Sequence, residues 1–414
     1  MIKTIEIQNF KSIDKVKVEL GRINVFIGEN GAGKSNFLEA IALAGAANAS
    51  KLDNEFLMSR GIRVTSAPLM RPQFSGFSNE TPITINIHED TGHVSNYTLQ
   101  NDNKHYSSWT HEILRDNTTS TDYYKNRVGE FISQDKKNIE KLKKSVSELL
   151  EFLSSEDISI IKEPGKNRTN KKIKVPTSTL IGALIQDFQD EYNSHLKELN
   201  DFVIYSPENT ALRLLEKEGQ VEPLGINGEG LIKLLLVMSE EADGKKIAEI
   251  NHCLKLLGWF EYFSVSEKTL STAAALEIKD RYLAPGNVTL DHRSANEGFM
   301  FLLFYFALFS TDLTPKIFAI DNIDASLNPK LCSRLIEELS VLAQRNDKQA
   351  LLTTHNPAIL DGLNLEDDEQ RLFVISRNPH GHTRIKRILK PKGQDLKLSE
   401  MFMRGVIGGL PKGF

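Results

Sequence analysis

Residues 23–35 read INVFIGENGAGKS and decide the fold class. Ile23–Ile27 is a short apolar run of the kind found in strands that are buried in a parallel sheet. Gly28–Ser35 matches GxxxxGK[ST], and an alanine-rich helix is predicted from about Ser35 to Ala47. Strand, glycine-rich loop and helix in this order predict a phosphate-binding loop, because the loop N–H groups and the helix N-terminus both attract anions.

The residues of this loop have distinct expected roles. Lys34 supplies a point charge to the β- and γ-phosphates of a nucleotide, and the Ser35 hydroxyl is a ligand for Mg²⁺. A glycine-rich turn without a ligand is the alternative, and the flanking strand and helix argue against it. The other nucleotide-binding candidates of the loop are Glu29, Asn30, Gly31, Ala32, Gly33 and Asn36.

Two further apolar strands end in polar residues. Ile317–Ile320 is followed by Asp321, and Gln349–Thr353 is followed shortly by His355. Open parallel sheets bind ligands at the C-terminal edge of their strands. We therefore expect Asp321 to hold Mg²⁺ through water, and His355 to bond a γ-phosphate or the attacking water. A strand-end cap and a structural histidine are the alternatives.

These motifs resemble those of the ABC ATPases, in the branch that contains the SMC/Rad50-type and RecF/OLD-type proteins. MIKTIEIQNFKSI (residues 1–13) looks like the first strand of that branch, and GENGAGKSN is its preferred phosphate loop. DNIDASLN (321–328) resembles its run of magnesium aspartate, catalytic glutamate and D-loop, and LLTTHNP (351–357) resembles the strand that ends in the switch histidine. The resemblance covers residues 1–50 and 290–375. It implies ATP and Mg²⁺ as cofactors and an α/β fold, an ABC-type nucleotide-binding domain with a mixed sheet flanked by helices.

The position after the magnesium aspartate departs from the family pattern. It holds Asn322 where the family has glutamate. An asparagine can orient a water molecule but cannot take its proton at neutral pH. The substitution predicts slow hydrolysis and a long-lived ATP state, and it leaves open whether Asp324 replaces the missing base.

The signature motif of the family has no strict match in this chain. RSANEG (293–298) is the best candidate, with Asn296 and Gly298 aligned to the motif's core. In the family this segment caps the γ-phosphate bound by the opposite subunit, with a side-chain donor that Asn296 or Ser294 could supply. The alignment implies that two chains enclose two ATP molecules, and an ordinary helix N-cap is the alternative.

Three residues between the phosphate loop and the next strands are weaker candidates. Gln73 is the only glutamine between Ser35 and Gln100, and its position before a predicted hairpin fits the family's magnesium-contacting glutamine loop. Arg60 and Arg63 could serve γ-phosphate or partner contacts, although a solvated face is the expected role of both.

The middle of the chain is predicted to be an insertion. Helical spacing of apolar residues at 139–153 and from about 179 to 200 surrounds a basic segment at 162–174. The predicted organisation is an ATPase domain built from 1–111 and 201–414, interrupted by a helical hairpin with a basic tip at 112–200. The tip could contact DNA through phosphates, and a solvated loop is the alternative.

Composition limits the other possibilities. The 414 residues carry a net charge of −4, so the overall charge does not indicate a nucleic-acid partner. The most apolar stretch, Phe299–Phe309, is too short to cross a bilayer, and we expect a cytoplasmic protein with no membrane partner. Cys253 and Cys332 have no CxxC companion, which argues against a disulfide scaffold or a structural zinc site.

The combination of motifs resembles the sensor ATPases of bacterial anti-phage systems, of the Septu and PARIS types. Those ATPases work with a separately encoded nuclease or toxin, and no HExxH, GxSxG or HNH-type pattern marks such an activity in this chain. The resemblance implies self-association, as a homodimer or a higher oligomer, and control of a separate effector. A RecF-like DNA-repair ATPase and a nucleotide-locked scaffold with negligible turnover are the alternatives.

Overall fold

The computed structural model describes residues 1–78, 80–104, 106–116, 157–160, 173–176, 198–241, 244–267, 274–284, 289–390 and 396–410. Its strands are β1 (Ile2–Phe10), β2 (Ile13–Glu19), β3 (Ile23–Ile27), β4 (Ile83–Glu89), β5 (Val94–Gln100), β6 (Thr110–Asp116), β7 (Asp157–Ile160), β8 (Ile173–Pro176), β9 (Ile204–Tyr205), β10 (Phe260–Glu267), β11 (Ala274–Asp280), β12 (Leu290–Asp291), β13 (Ile317–Ile320), β14 (Gln349–Thr354), β15 (Gln370–Arg377) and β16 (Thr383–Ile388). Its α-helices are α1 (Lys34–Asn48), α2 (Asn54–Ser59), α3 (Leu231–Glu240), α4 (Lys245–Leu254), α5 (Glu297–Ser310), α6 (Pro329–Arg345) and α7 (Leu398–Met403).

The apolar run Ile23–Ile27 is a strand in the interior of a six-stranded sheet. The strand order is β16-β15-β3-β14-β13-β9, and only β16 pairs antiparallel with its neighbour. Every side chain of β3, β13 and β14 is buried, as expected for parallel strands that are covered on both faces. The C-terminal ends of the five parallel strands therefore meet at one edge of the sheet.

Strand alternation divides the apolar residues between two cores. Ile23, Val25 and Ile27 point into a core that includes α5 and α6, and Phe26 points into a second core that includes α1. Helix α5 is buried from Phe299 to Ser310, which explains why it is apolar on all sides. The second core also contains the inner face of the antiparallel sheet β2-β1-β4-β5-β6. This arrangement confirms the predicted α/β class with a mixed sheet flanked by helices.

The chain divides into two units. The first comprises Met1–Asp90, Val94–Arg115 and Glu198–Phe414, and the second comprises Thr91–His93 and Asp116–Lys197. In the second unit, β7 and β8 form an antiparallel pair. The predicted helical residues 139–153 and 179–197, and residues 162–172 of the basic segment, lie outside the described residues, so the helical insertion stays a prediction.

Two local expectations need adjustment. The proposed boundary at residue 112 falls inside strand β6, and β8 begins at Ile173, before the end of the segment that was expected to be a loop.

In the described part of the chain, no helix is both long and apolar enough to cross a membrane.

Candidate nucleotide-binding site

The loop between β3 and α1 lines a cleft of about 350 Å³ at the C-terminal edge of the parallel strands. We call it the phosphate cleft. Lys34 is buried at its base, where Nζ donates hydrogen bonds to the carbonyl oxygens of Gly28 at 2.8 Å and Glu29 at 3.2 Å. These bonds tie the start of the loop to the first turn of α1, so the ammonium group is held in position at the helix N-terminus.

Two glycines of the loop are required by the packing behind it. A Cβ atom on Gly28 would lie 2.1 Å from the carbonyl oxygen of Ile375. A Cβ atom on Gly33, whose φ is 109°, would lie 2.2 Å from the hydroxyl of Thr383. Neither position accepts a side chain, and Gly33 also needs the left-handed conformation that glycine adopts most easily.

The other residues predicted from the loop divide into two groups. Asn30, Gly31, Gly33, Ser35 and Asn36 line the phosphate cleft. Glu29 and Ala32 contribute backbone atoms to its structure: the Glu29 carbonyl accepts from Lys34, and the Ala32 carbonyl accepts from Thr383 Oγ1 at 2.9 Å.

Asp321 lies opposite the loop, as the sequence predicted. Ser35 Oγ donates to Asp321 Oδ2 at 3.0 Å, and the Thr353 hydroxyl donates to Asp321 Oδ1. The parallel pairing of Ile320 with Leu352 brings Asp321 to Thr353. A hydroxyl and a carboxylate are hard oxygen ligands of the kind that Mg²⁺ prefers, so Ser35 and Asp321 fit a magnesium ion that would be shared with nucleotide phosphates.

The three predicted catalytic residues occupy different positions. Asn322 and His355 line the phosphate cleft, and Asp324 is not among the residues that line it. Asp324 Oδ1 instead accepts from Thr354 Oγ1 at 2.7 Å and from the His355 backbone N–H at 3.4 Å. Asp324 therefore fixes the end of β14, which carries His355.

Burial lowers the pKa of two groups at the cleft. It lowers the pKa of Lys34 from 10.5 to about 8, and the negative charges of Asp321, Asp324 and Glu29 only partly oppose this. Burial is also the main cause of a lowered pKa at His355, and the positive charge of Lys34 adds to it. Since an ordinary histidine titrates near pH 6.5, His355 is neutral at pH 7 and can accept a proton or a hydrogen bond.

The lowered pKa of Lys34 predicts pH-dependent nucleotide binding. Above about pH 8 the free protein loses the Lys34 proton, and a bound polyphosphate restores it, so binding takes up a proton. We expect ATP affinity to fall with rising pH in this range, by up to about tenfold per pH unit. Calorimetric titrations in two buffers of different ionisation enthalpy measure the proton uptake. Lys34→Met should remove the dependence, and a constant affinity between about pH 7.5 and 9 would contradict the prediction.

The signature-like segment lies away from its own chain's phosphate cleft. Asn296 caps α5, with Oδ1 accepting from the Phe299 N–H at 2.9 Å, so the N-cap alternative describes its geometry in this single chain. A Cβ atom on Gly298 would lie 3.3 Å from the Ser326 carbonyl oxygen. The segment thus packs against the 321–328 loop, and neither Asn296 nor Gly298 lines the cleft formed by Lys34 and Asp321.

Gln73 belongs to a neighbouring cleft of about 390 Å³ and does not line the phosphate cleft. Its Nε2 donates to the Pro68 carbonyl oxygen at 2.6 Å. The two clefts share Asn36, Arg63 and Arg377. The proposed role of Gln73 as a magnesium contact therefore stays a prediction.

Sequence reasoning missed or undervalued several residues of the site. Arg377 lines the phosphate cleft and donates from Nε to the Gly31 carbonyl oxygen at 2.8 Å. The available signal was its position at the end of β15, which corresponds to that of Asp321 after β13. Arg63 also lines the cleft, although a solvated face was expected. The backbone N–H of Asp321 bonds the Tyr205 carbonyl oxygen at 2.8 Å, so the segment after β9 begins beside the site.

A family model matches most of the chain that forms this cleft. The model described as "AAA domain, putative AbiEii toxin, Type IV TA system" matches residues 23–361. The chain belongs to this family. The match begins at β3 and extends past Asp321 and His355, so it includes the elements that form the phosphate cleft except Arg377.

Similar proteins support the fold more than the function. An uncharacterized protein of Methanocaldococcus jannaschii, MJECL10, is 34% identical over 115 residues, which is 26% of this chain and 50% of that protein. The SMC head bound to the C-winged helix domain of ScpA matches with a TM-score of 0.54 and 11% identity over 95% of this chain and 99% of that chain. The SMC head domain from Thermotoga maritima gives a TM-score of 0.44 at 12% identity over 94% of this chain and 98% of that chain. The family match therefore identifies an AAA domain, and the likeness to the SMC head shows that the chain shares the fold of that domain.

Proposed function

We propose that this protein binds ATP with Mg²⁺ in the phosphate cleft and dimerises around it, hydrolyses it slowly, and controls a separately encoded effector such as a nuclease in anti-phage defence. The observation that carries the proposal is the convergence of Lys34, Ser35 and Asp321 at one edge of the sheet. A buried ammonium, a hydroxyl and a carboxylate around the N-terminus of a helix are the groups that a magnesium-bound polyphosphate requires.

Dimerisation is supported by the position of the signature-like segment. Ser294, Asn296 and Glu297 are exposed, next to the N-terminus of α5, and they do not line the cleft of their own chain. The positive end of α5 is suited to a phosphate of another chain's nucleotide. The cleft is open on its own, and a second chain would supply the missing cover.

Slow hydrolysis is supported by the residues around the attacking position. Asn322 lines the cleft without a titratable side chain, and Asp324 is engaged with Thr354 and His355. His355 lines the cleft as a neutral imidazole that could accept a proton. A nucleotide-locked scaffold shares all these features and differs from the proposal only in having negligible turnover.

Control of a separate effector rests on the relatives. The family's description includes a putative toxin of a type IV toxin–antitoxin system, which supports a function together with a second gene product. The SMC head of similar fold is bound to the winged-helix domain of another protein. Both support a separate protein partner.

The test of the proposal is complementation between two inactive chains. Lys34→Ala removes the phosphate contact, and Ser294→Arg places a bulky side chain in the signature-like segment. We expect light scattering to show an ATP-dependent dimer for the wild type, monomers for each variant, and a dimer for their equimolar mixture, since the mixture contains one intact composite site. The mixture should also recover part of the wild-type ATP turnover.

A matched control excludes a general effect of the new arginine. Ser264 is exposed on β10, and Ser264→Arg should dimerise with ATP like the wild type. If the wild type binds ATP but remains monomeric, or if Ser294→Arg dimerises normally, the two-chain sandwich is wrong.

A further inference from the structure

Helix α1 carries a buried carboxylate that the proposed chemistry does not use. Glu39 is 1% exposed, and its two oxygens accept from two cations: Lys11 Nζ donates to Oε2, and Arg63 Nε donates to Oε1 at 2.5 Å. Burying a carboxylate is costly unless it is paired and hydrogen-bonded, and an apolar residue in its place would often be as stable. The cluster therefore calls for a reason other than stability.

The backbone at Lys11 is arranged to reach Glu39. Lys11 has a φ of 49°, in the left-handed region that a lysine rarely adopts, and its N–H donates to the Met70 carbonyl oxygen at 3.0 Å. Its Nζ also donates to the Arg63 carbonyl oxygen at 3.0 Å. Lys11 thus binds both the carboxylate of Glu39 and the backbone of Arg63, and strained conformations of this type cluster at functional sites.

Arg63 connects this cluster to the phosphate cleft. Its Nη2 donates to Asn36 Oδ1 at 3.1 Å, and Asn36 Nδ2 donates to Ser12 Oγ at 2.7 Å. The Arg63 side chain is 65% exposed and lines the phosphate cleft and the neighbouring cleft. An exposed arginine normally samples many rotamers, but two directed hydrogen bonds hold this guanidinium at the mouth of the cleft.

We propose that Glu39 is a positioning residue, which fixes Arg63 so that its guanidinium contacts the polyphosphate of the bound nucleotide. The inference rests on the proposed ATP site and adds a residue that does not touch the ligand. The direction of the change in nucleotide affinity distinguishes this role from simple charge balance. If Glu39 only neutralised Lys11 and Arg63, removing its charge would strengthen the attraction of the cleft for phosphates. If it positions Arg63, removing its charge weakens nucleotide binding despite the more positive surroundings.

A double-mutant cycle on ATP affinity tests the proposal. Dissociation constants for Mg-ATP are measured by calorimetry for the wild type, Glu39→Gln, Arg63→Ala and the double variant, each with a thermal unfolding curve. We expect each single variant to bind about tenfold more weakly, and the double variant to lose about tenfold in total instead of a hundredfold, since both changes remove one interaction. Glu112→Gln, at an exposed acid on β6, is the matched control and should bind normally.

Three outcomes would overturn the proposal: tighter or unchanged binding by Glu39→Gln, additive losses in the double variant, or wild-type affinity of Arg63→Ala. Because Arg63 is mostly exposed, Arg63→Ala should fold even if Glu39→Gln does not, and its affinity alone can refute the inference. Lys34→Ala separates this from failure of the ATP site. If the wild type does not bind ATP, the proposed function fails; if it binds ATP through Lys34 and Arg63→Ala is unaffected, only the role of Glu39 fails.

Discussion

Lys34→Ala should abolish tight ATP binding while leaving the fold intact. In the structure, Nζ bridges the carbonyl oxygens of Gly28 and Glu29 at the base of the phosphate cleft, where a polyphosphate would exchange these partners for its own oxygens. A charge-assisted contact in a buried position contributes about 1.5–3 kcal/mol, or roughly ten- to a hundredfold in affinity. The loss should be at the upper end of this range, because the ammonium group is shielded from water.

Two comparisons make this result specific to the charge. Lys34→Met keeps most of the buried side-chain volume and removes the cation, so it should lose as much affinity as Lys34→Ala. Lys51→Ala, at an exposed lysine just beyond the C-terminus of α1, should bind ATP normally. Affinities measured by calorimetry, with unfolding curves for each variant, decide the matter. Binding by Lys34→Met within about threefold of the wild type would mean that the nucleotide site lies elsewhere.

The parts of the site that could be predicted from sequence follow strands with continuous apolar runs. β3, β13 and β14 are buried on every side chain, and the loop, Asp321 and His355 come directly after them. Residues that directly follow the last apolar residue of parallel strands all lie at the C-terminal edge of the sheet. A local pattern was therefore sufficient to bring together residues nearly three hundred positions apart.

The parts that could not be predicted depend on pairing between distant strands. The sequence marks Leu372–Ser376 and Arg384–Leu389 as candidate edge strands. The first of them, β15, instead pairs with β3 in the interior of the sheet, and this brings Arg377 to Gly31. The sequence does predict a strand at Phe202–Tyr205, and β9 is found at Ile204–Tyr205, but its place beside β13 comes from tertiary pairing. The Glu39 cluster joins residues from β1–β2, α1 and the segment after α2, and no local pattern marks it.

The basic residues near the C-terminus show a related limit. Lys386, Arg387, Lys390 and Lys392 form a second small basic set in the sequence, and Lys392 lies outside the described residues. In the fold, Arg387 pairs with Asp368 and Lys390 pairs with Glu366, while Lys386 remains exposed. The acids precede β15 and the cations lie on or just after β16, so the neutralisation follows from the antiparallel pairing of two strands.

Asn322→Glu should raise the rate of ATP hydrolysis by about a hundredfold or more, since a general base typically contributes 10²–10⁴. Asn322 lines the phosphate cleft next to Asp321, and its N–H is fixed by Thr353 Oγ1 at 2.9 Å. Its φ of 58° is left-handed, a conformation that asparagine tolerates better than glutamate does. The variant should therefore lose about 1–2 kcal/mol of stability while it gains turnover.

Asn322→Gln is the matched control, because it has the length and the backbone strain of glutamate without the carboxylate. Single-turnover hydrolysis should be accelerated in Asn322→Glu and unchanged or slower in Asn322→Gln. If Asn322→Glu gains nothing and the wild type already turns over at ordinary rates, another group must take the proton. Asp324→Asn then decides between the two remaining candidates. Loss of turnover with normal ATP affinity would make Asp324 the base, and retained turnover would leave His355, whose neutral imidazole already faces the cleft.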